Sequence, residues 1–118
     1  MQRQRLRTRS RLTGRNGFGP VFRARTVQTN AWFLIHYSAP LNQATSGPRL
    51  GIGVTRKVHT SAVVRNRVRR LIRESFRLRQ FRIVPQDYVV RARPAAAHAD
   101  NATLRQALDQ LWNRFELE

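Results

Sequence analysis

The sequence predicts one α+β domain with its elements in the order αββαβα. Three observations predict it. Short aromatic and branched runs give way to helical periodicity, then to another short strand and a final helix. No internal repeat or break in composition marks a second unit, and 118 residues suffice for one modest core. Hydrophobic residues make up 41% of the chain, more than a disordered tail carries. Residues 1–118 are therefore read as a single domain, with 1–11 a flexible basic arm and 12–118 globular.

The arm alternates Arg with other residues and has little to bury. In residues 12–25, Leu12, Phe18, Val21 and Phe22 suit one face of a short helix, with Asn16 a plausible cap. Gly17, Gly19 and Pro20 are poor helix-interior residues, and Pro20 fits only a first turn, so this helix starts late. Residues 31–38 (AWFLIHYS) read as a strand, and residues 40–48 form a turn-rich connection with Asn42, Ser46 and Gly47. Leu50, Ile52 and Val54 then alternate with Gly51, Gly53 and Thr55, a second strand with one nearly bare face. Bare glycines admit either a neighbouring part of the chain or a ligand.

Residues 61–80 are helical. With Val64 set at 0° and ~100° per residue, Val68, Leu71, Ile72, Ser75 and Leu78 fall within about 320° to 80°, and Phe76 near 120°. Asn66, Arg69, Arg70, Arg73 and Arg77 fall within about 140° to 240°, and Arg65 and Arg67 flank the seam near 100° and 300°. An apolar back thus opposes a cationic ridge. Pro85 and Asp87 break the helix before a third strand at 88–92 (YVVRA). A last helix starts near Asp100, with Asp100 or Asn101 as cap. Its Leu104, Leu108, Leu111, Trp112 and Phe115 form a core-facing stripe, and its outer face is neutral to acidic, which suits a structural role.

Charge narrows the function classes. Residues 1–73 hold 15 Arg and Lys57 with no acid, while residues 74–118 hold 7 Arg and all 6 acids. A net charge of +17 exceeds the ~2–8 that solubility needs in a small domain, and at this density it opposes compaction unless a polyanion relieves it. A nucleic-acid face explains the excess, because each neutralised phosphate releases counterions.

Catalytic constellations are missing. Without cysteine there is no disulfide, thiolate metal site or cysteine nucleophile. The scattered acids and the three histidines, His36, His59 and His98, have no metal-ligand spacing. Gly51-x-Gly53 lacks the third glycine of a dinucleotide loop. The longest apolar run, residues 31–35, is far short of the roughly 20 residues of a membrane span, and no secretory signal follows the basic start. The expectation is a cytoplasmic protein that does not catalyse alone, with no membrane association and no obligate protein partner.

The stretch Lys57-Val-His-Thr-Ser-Ala-Val-Val-Arg-Asn-Arg-Val-Arg-Arg-Leu-Ile-Arg-Glu-Ser-Phe-Arg77 resembles the signature of the bacterial ribonuclease P protein subunit, whose Ala-x-x-Arg-Asn-Arg-x-Arg-Arg-x-x-Arg core is met from Ala62 onward. Arg11-Leu12 with Phe18, Val21 and Phe22 is similar to the family's opening helix. Residues 48–57, Asp87-Tyr-Val-Val and Leu108-x-x-Leu111-Trp112 are similar to its later elements. The resemblance implies a sandwich of a small mixed sheet with helices and a left-handed βαβ crossover, although most crossovers are right-handed. It implies RNA binding by Lys57, Arg65, Asn66, Arg67, Arg69, Arg70, Arg73 and Arg77, and a cleft for the 5′ leader of precursor tRNA formed by Phe18, Phe22 and His36. The catalytic RNA and the leader would be the partners. Magnesium, held mainly by the RNA subunit, would be the cofactor, and no protein residue would be catalytic.

The chain departs from the family pattern at His59, Gly19-Pro20, His36 and Arg91, and Arg91 is expected on an accessible face or near an edge. A ribosomal RNA binder would share the charge pattern but show no leader preference. A DNA regulator reading the major groove through the Arg-rich helix would need a short helix before it, where a glycine-rich strand stands.

Overall fold

A computed structural model describes residues 18–39 and 47–117. Helix α1 spans Phe18–Arg23, followed by strands β1 (Val27–Thr29), β2 (Phe33–Ser38) and β3 (Arg49–Gly53). Helix α2 (Ala62–Arg79) leads to strand β4 (Asp87–Ala92), a 3₁₀ turn over Pro94–His98, and helix α3 (Asn101–Asn113). Among the described residues these elements make one four-stranded mixed sheet in the order β1-β2-β4-β3. Strands β1 and β4 pair antiparallel with β2, whereas β3 and β4 are parallel and joined across α2.

Alternation along each strand separates the faces. Phe33 and Ile35 of β2, Leu50 of β3, and Tyr88 and Val90 of β4 face α2 and α3 and form the main core. Helix α2 contributes Val68, Leu71, Ile72 and Phe76, and α3 contributes Leu104, Ala107, Leu108, Leu111 and Trp112. The centre of that core is a ring cluster: the Trp112 ring lies 5.3 Å from Tyr88 and 5.7 Å from Phe76, and Phe115 lies 5.0 Å from Tyr88. Its polar atoms are satisfied. Trp112 Nε1 donates to Ser75 Oγ at 3.0 Å, Ser75 donates to the Ile72 carbonyl, and Tyr88 donates to the Val84 carbonyl. Burial pushes the Tyr88 phenol up to about 12.

The order αββαβα gains one element the sequence did not announce, making it αβββαβα. Strand β1 has only three residues, two of them exposed, so its pattern is too short to read; it exists because β2 offers it an edge. Strand β2 begins at Phe33, not at residue 31, because Asn30 Oδ1 accepts from the Trp32 and Phe33 amides and holds a turn there. Helix α1 starts at Phe18, with Pro20 in its first turn; Leu12, Asn16 and the arm 1–11 lie outside the described residues. Asp100 is the cap of α3, accepting from Thr103 N at 2.8 Å. Strand β4 is interior, so Arg91 is exposed on a face and not at an edge. Leu78, expected on the buried arc of α2, is 52% exposed. The residues that are buried centre near ~50° on the wheel, which leaves Leu78 at the margin.

Replacing Ser75 by Ala removes the acceptor of a buried indole N–H, at an expected cost of about 1–3 kcal/mol. Urea unfolding should show it as a lower midpoint with an unchanged slope. The double change Ser75→Ala with Trp112→Phe should cost less than the sum of the two single changes.

Candidate nucleic-acid interface

Two cationic surfaces emerge, one along α2 and one on the sheet face away from α2. Ser61 caps α2 by accepting from Val64 N, and the helix then carries its cations in three settings. Arg65, Arg67 and Arg69, nearest the buried arc, reach backbone. Arg65 Nη1 donates to the His59 and Thr60 carbonyls at 3.1 and 2.8 Å. Arg67 donates to the Ala97 and Ala99 carbonyls, both at 3.2 Å, and to Asn101 Oδ1 at 2.7 Å. Arg69 donates to the Val54 carbonyl at 2.6 Å and to Asn66 Oδ1 at 2.9 Å. Opposite the core, Arg70 and Arg73 are exposed and make no hydrogen bond or ion pair among the described residues. Lys57 is exposed just before the helix, and Arg77 is half-buried in its last turn.

The guanidiniums of the motif thus divide. Three tie α2 to the end of β3, to the loop before the helix, and to the start of α3. Two, with the exposed Asn66 amide, present donors outward along one helix face, and Lys57 stands apart before the helix, beside Gly53 and Arg91. The helical angles alone sort them: Arg65, Arg67 and Arg69 sit within ~110° of the buried centre, and Arg70 and Arg73 lie farther round.

On the other sheet face the register aligns Val27, His36, Val89 and Gly51 in one row, and Thr29, Leu34, Arg91 and Gly53 in the next. Helix α1 covers part of the first row, where Val21 and Val89 are fully buried against each other and Phe18 packs beside them. The bare glycine face therefore receives part of the chain itself: the Phe18 ring lies over Gly51. Phe18 meets Phe22 edge-on with centroids 6.1 Å apart, Phe22 meets His36 at 4.8 Å, and the Arg91 guanidinium lies 5.8 Å from the centre of the Phe22 ring. Phe22 is 37% exposed and Phe18 is partly buried, so the two predicted cleft aromatics sit differently, one outward and one against the sheet. Beyond α1 the second row opens into a depression of about 260 Å³ lined by Leu34, Gly53, Thr55, Lys57, Arg91 and Arg93.

The acid on this face, Asp87, is neutralised. It accepts from Arg49 Nε and Nη2 at 2.8 and 2.7 Å and is 4% exposed; its hydrogen bonding raises the Arg49 guanidinium further, against desolvation. What remains is aromatic and cationic, a setting in which nucleobases stack and phosphates pair. Nε2 of His36 is buried without a partner among the described residues. Desolvation, reinforced by the charge of Arg91, holds the His36 imidazole below its ordinary value. Among the described residues no three His, Asp or Glu side chains converge as a metal site. No helix among them is long and apolar enough to cross a membrane.

The sequence profile of the ribonuclease P family matches residues 6–116. The ribonuclease P protein component of Halorhodospira halophila is 47% identical over 104 residues, covering 87% of this chain and 83% of that one. That of Klebsiella pneumoniae is 49% identical over 67 residues, covering 57% and 56%. The fold superposes on the RNase P protein of Staphylococcus aureus with a TM-score of 0.81 at 26% identity, covering 89% of this chain and 94% of that one. It superposes on that of Thermotoga maritima, solved with 1-(4-fluorophenyl)-2-thiourea, with a TM-score of 0.77 at 30% identity, covering 89% and 99%.

Two outcomes follow from the geometry. Arg67→Ala strands the Ala97 and Ala99 carbonyls and should lower unfolding stability by about 1–2 kcal/mol, while Arg70→Ala should change it by less than about 0.5 kcal/mol. Thermal melts of the two variants should separate accordingly. For His36, the unfolded chain accepts a proton near its ordinary ~6.5 and the folded chain resists it, so its stabilising contribution is present above that value and declines as pH falls below it. Replacing it with His36→Phe should flatten the loss of melting temperature between about pH 7 and 5. Asp100, held low by its capping bonds to Thr103, acts in the carboxylate range and leaves that window clear.

Proposed function

The chain belongs to the ribonuclease P protein family, and from that premise we propose how its two cationic surfaces share the work. The protein is the RNA-binding component of ribonuclease P, which removes the 5′ leader of precursor tRNA by endonucleolytic cleavage, and the RNA component carries the chemistry. In our reading, Asn66, Arg70 and Arg73 bind phosphates of the RNA component along the outward face of α2, with Arg77 continuing the row, while Lys57, which lines the depression on the sheet face, serves the leader. Arg65, Arg67 and Arg69 hold that face in place from within the protein. Each commits at least one guanidinium nitrogen to a backbone carbonyl, which supports a positioning role for them in RNA binding.

The single-stranded leader, in this reading, lies across the open sheet face. One base stacks on the exposed Phe22 ring, and the backbone passes over Arg91 and Lys57. The observation that carries this is the pairing of a half-exposed aromatic with two outward cations on a face whose acid is already neutralised. Stacking tolerates any base, as a subunit serving many precursors requires. His36 lies under the Phe22 edge and supports the ring.

Among the described residues no three acids or histidines converge, and Asp87 is taken up by Arg49 and Asp100 by the cap of α3. The reading therefore leaves magnesium to the RNA component. The protein contributes fixed positive charge that lowers the concentration of cations needed to bring two polyanions together.

The test is cleavage of a precursor tRNA by the bacterial catalytic RNA at limiting magnesium, with and without the protein. The protein should restore cleavage at the mature 5′ end, and more so for a leader-bearing substrate than for one with a single-nucleotide leader. Phe22→Ala should reduce that preference by roughly tenfold, about the worth of one stacked base. Arg70→Ala should weaken RNA binding and lower the salt dependence by about one counterion. Equal RNA binding without any change in cleavage would reverse the reading in favour of a general RNA binder.

A further inference from the structure

Gly51 is the one position on β3 where the fold cannot carry a side chain without moving a ring. A Cβ built there lies 2.2 Å from Phe18 Cε1, 2.8 Å from Cζ and 3.1 Å from Cδ1, inside van der Waals contact. No positive φ is recorded at Gly51, so the restriction is one of space and not of backbone conformation. The ring sits in the notch that the missing side chain leaves. From there the contacts run outward: Phe18 edge-on to Phe22, Phe22 edge-on to His36, Arg91 over Phe22. One ring, Phe18, thus stands between the backbone of an edge strand and the exposed Phe22, with His36 on the far side.

We propose that Gly51 is a positioning residue for leader recognition: it sets the depth at which Phe18 sits, and through Phe18 the tilt of Phe22 over His36. This rests on the reading that Phe22 meets the leader. The described part of helix α1, Phe18–Arg23, buries one residue fully, Val21, and a hinge about the Val21–Val89 contact lets the Phe18 end rise while the helix stays attached. Gly53 plays the lesser part, because the nearest atom to a Cβ there is Arg91 Cγ at 3.2 Å, on a flexible stem that can give way.

The experiment uses the full chain, free and assembled with the catalytic RNA. In Gly51→Ala the added methyl displaces the Phe18 ring. The His36 ring protons, shifted by the Phe22 ring current, should move toward free-histidine positions in the NMR spectrum of the free protein. In the assembled enzyme the preference for leader-bearing over leaderless precursor should fall by several-fold, approaching the roughly tenfold loss of Phe22→Ala. That loss should appear in KM, with kcat at saturating substrate and binding of the catalytic RNA unchanged. The double change Gly51→Ala with Phe18→Leu, which shortens the side chain over the new methyl, should recover part of both signals.

Unmoved His36 resonances and an intact leader preference in folded Gly51→Ala would overturn the proposal, and so would equal loss of kcat and RNA binding, which marks general damage. If Gly51→Ala does not fold, Phe18→Leu alone decides. Removing the Phe18 ring from beside Phe22 should shift the His36 protons and weaken leader preference, and no change in either overturns the seat. Phe22→Ala separates the two levels. If it leaves leader preference intact, the leader reading fails; if it lowers the preference while Gly51→Ala does not, only the role of Gly51 fails.

Discussion

The burial of one arc of α2 against the sheet is the constraint on which the rest depends. Val68, Leu71, Ile72, Ser75 and Phe76 all lie on that arc, and the helix is long enough that its rotation about its own axis is fixed by them. Once the rotation is fixed, every other position on the helix has a defined outlook. Residues at the flanks reach the loops beside the helix, and residues opposite the core can reach only solvent or a partner. Chemically identical arginines four residues or fewer apart thus acquire different tasks, Arg69 bonding to Val54 O while Arg70 projects outward. Burial of apolar surface, worth about 25 cal/mol per Å², does the sorting; the guanidinium chemistry only fills the places assigned.

Charge is organised on the same principle. A chain of +17 cannot be neutral anywhere by its own means, since six acids face twenty-three bases. Three of the five described acids have a partner within the fold: Asp87 with Arg49 between β3 and β4, Asp100 at the cap of α3, and Asp109 3.5 Å from Arg79 on the outer surface. Carbonyl oxygens take up further cations at Arg65, Arg67, Arg69 and Arg93. Among the described residues, Arg70 and Arg73 on α2 and Arg91 on the open sheet face are left without an acid partner, so part of the free energy of relieving the charge is available on binding a polyanion.

Much of this was legible in the sequence, and the parts that were not have identifiable causes. Helical periodicity located α2 and the stripe of α3, because both helices pack one side and expose the other. Pro20 placed the start of α1. Strand β1 was hidden because three residues, Val27–Thr29, carry no alternation long enough to distinguish from a loop. The bare face of β3 was visible, but whether it received a ligand or another part of the chain depended on where α1 lands, a contact between residues over thirty positions apart. Phe18 and Phe22 looked equivalent in the sequence; only the packing of Val21 on Val89 turns one ring inward and leaves the other out. The motif arginines lie on α2, where the periodicity put them, yet their division between carbonyl-bonded and outward side chains needed the buried centre of the helix, which the exposed Leu78 pulled off true in a reading from hydrophobicity alone.

Strand β3 joins the two surfaces mechanically. One of its faces feeds Leu50 and Ile52 to the core, its other face gives Gly51 to the Phe18 ring, and the Val54 carbonyl just past its end accepts from Arg69 of the motif helix. Its start is clamped by Arg49 to Asp87 of the neighbouring strand. A displacement of α2 on binding RNA would therefore pull on the same strand that seats α1, with only a five-residue strand and a short loop between them. Because β3 is hydrogen-bonded along its whole length to the interior strand β4, it resists that pull, and the aromatic shelf keeps its geometry whether or not the helix face is occupied. Rigidity there has a functional consequence. A preformed surface leaves the ordering cost of binding a flexible single strand to the strand alone, and in the proposed reading that is what the aromatic shelf offers the leader.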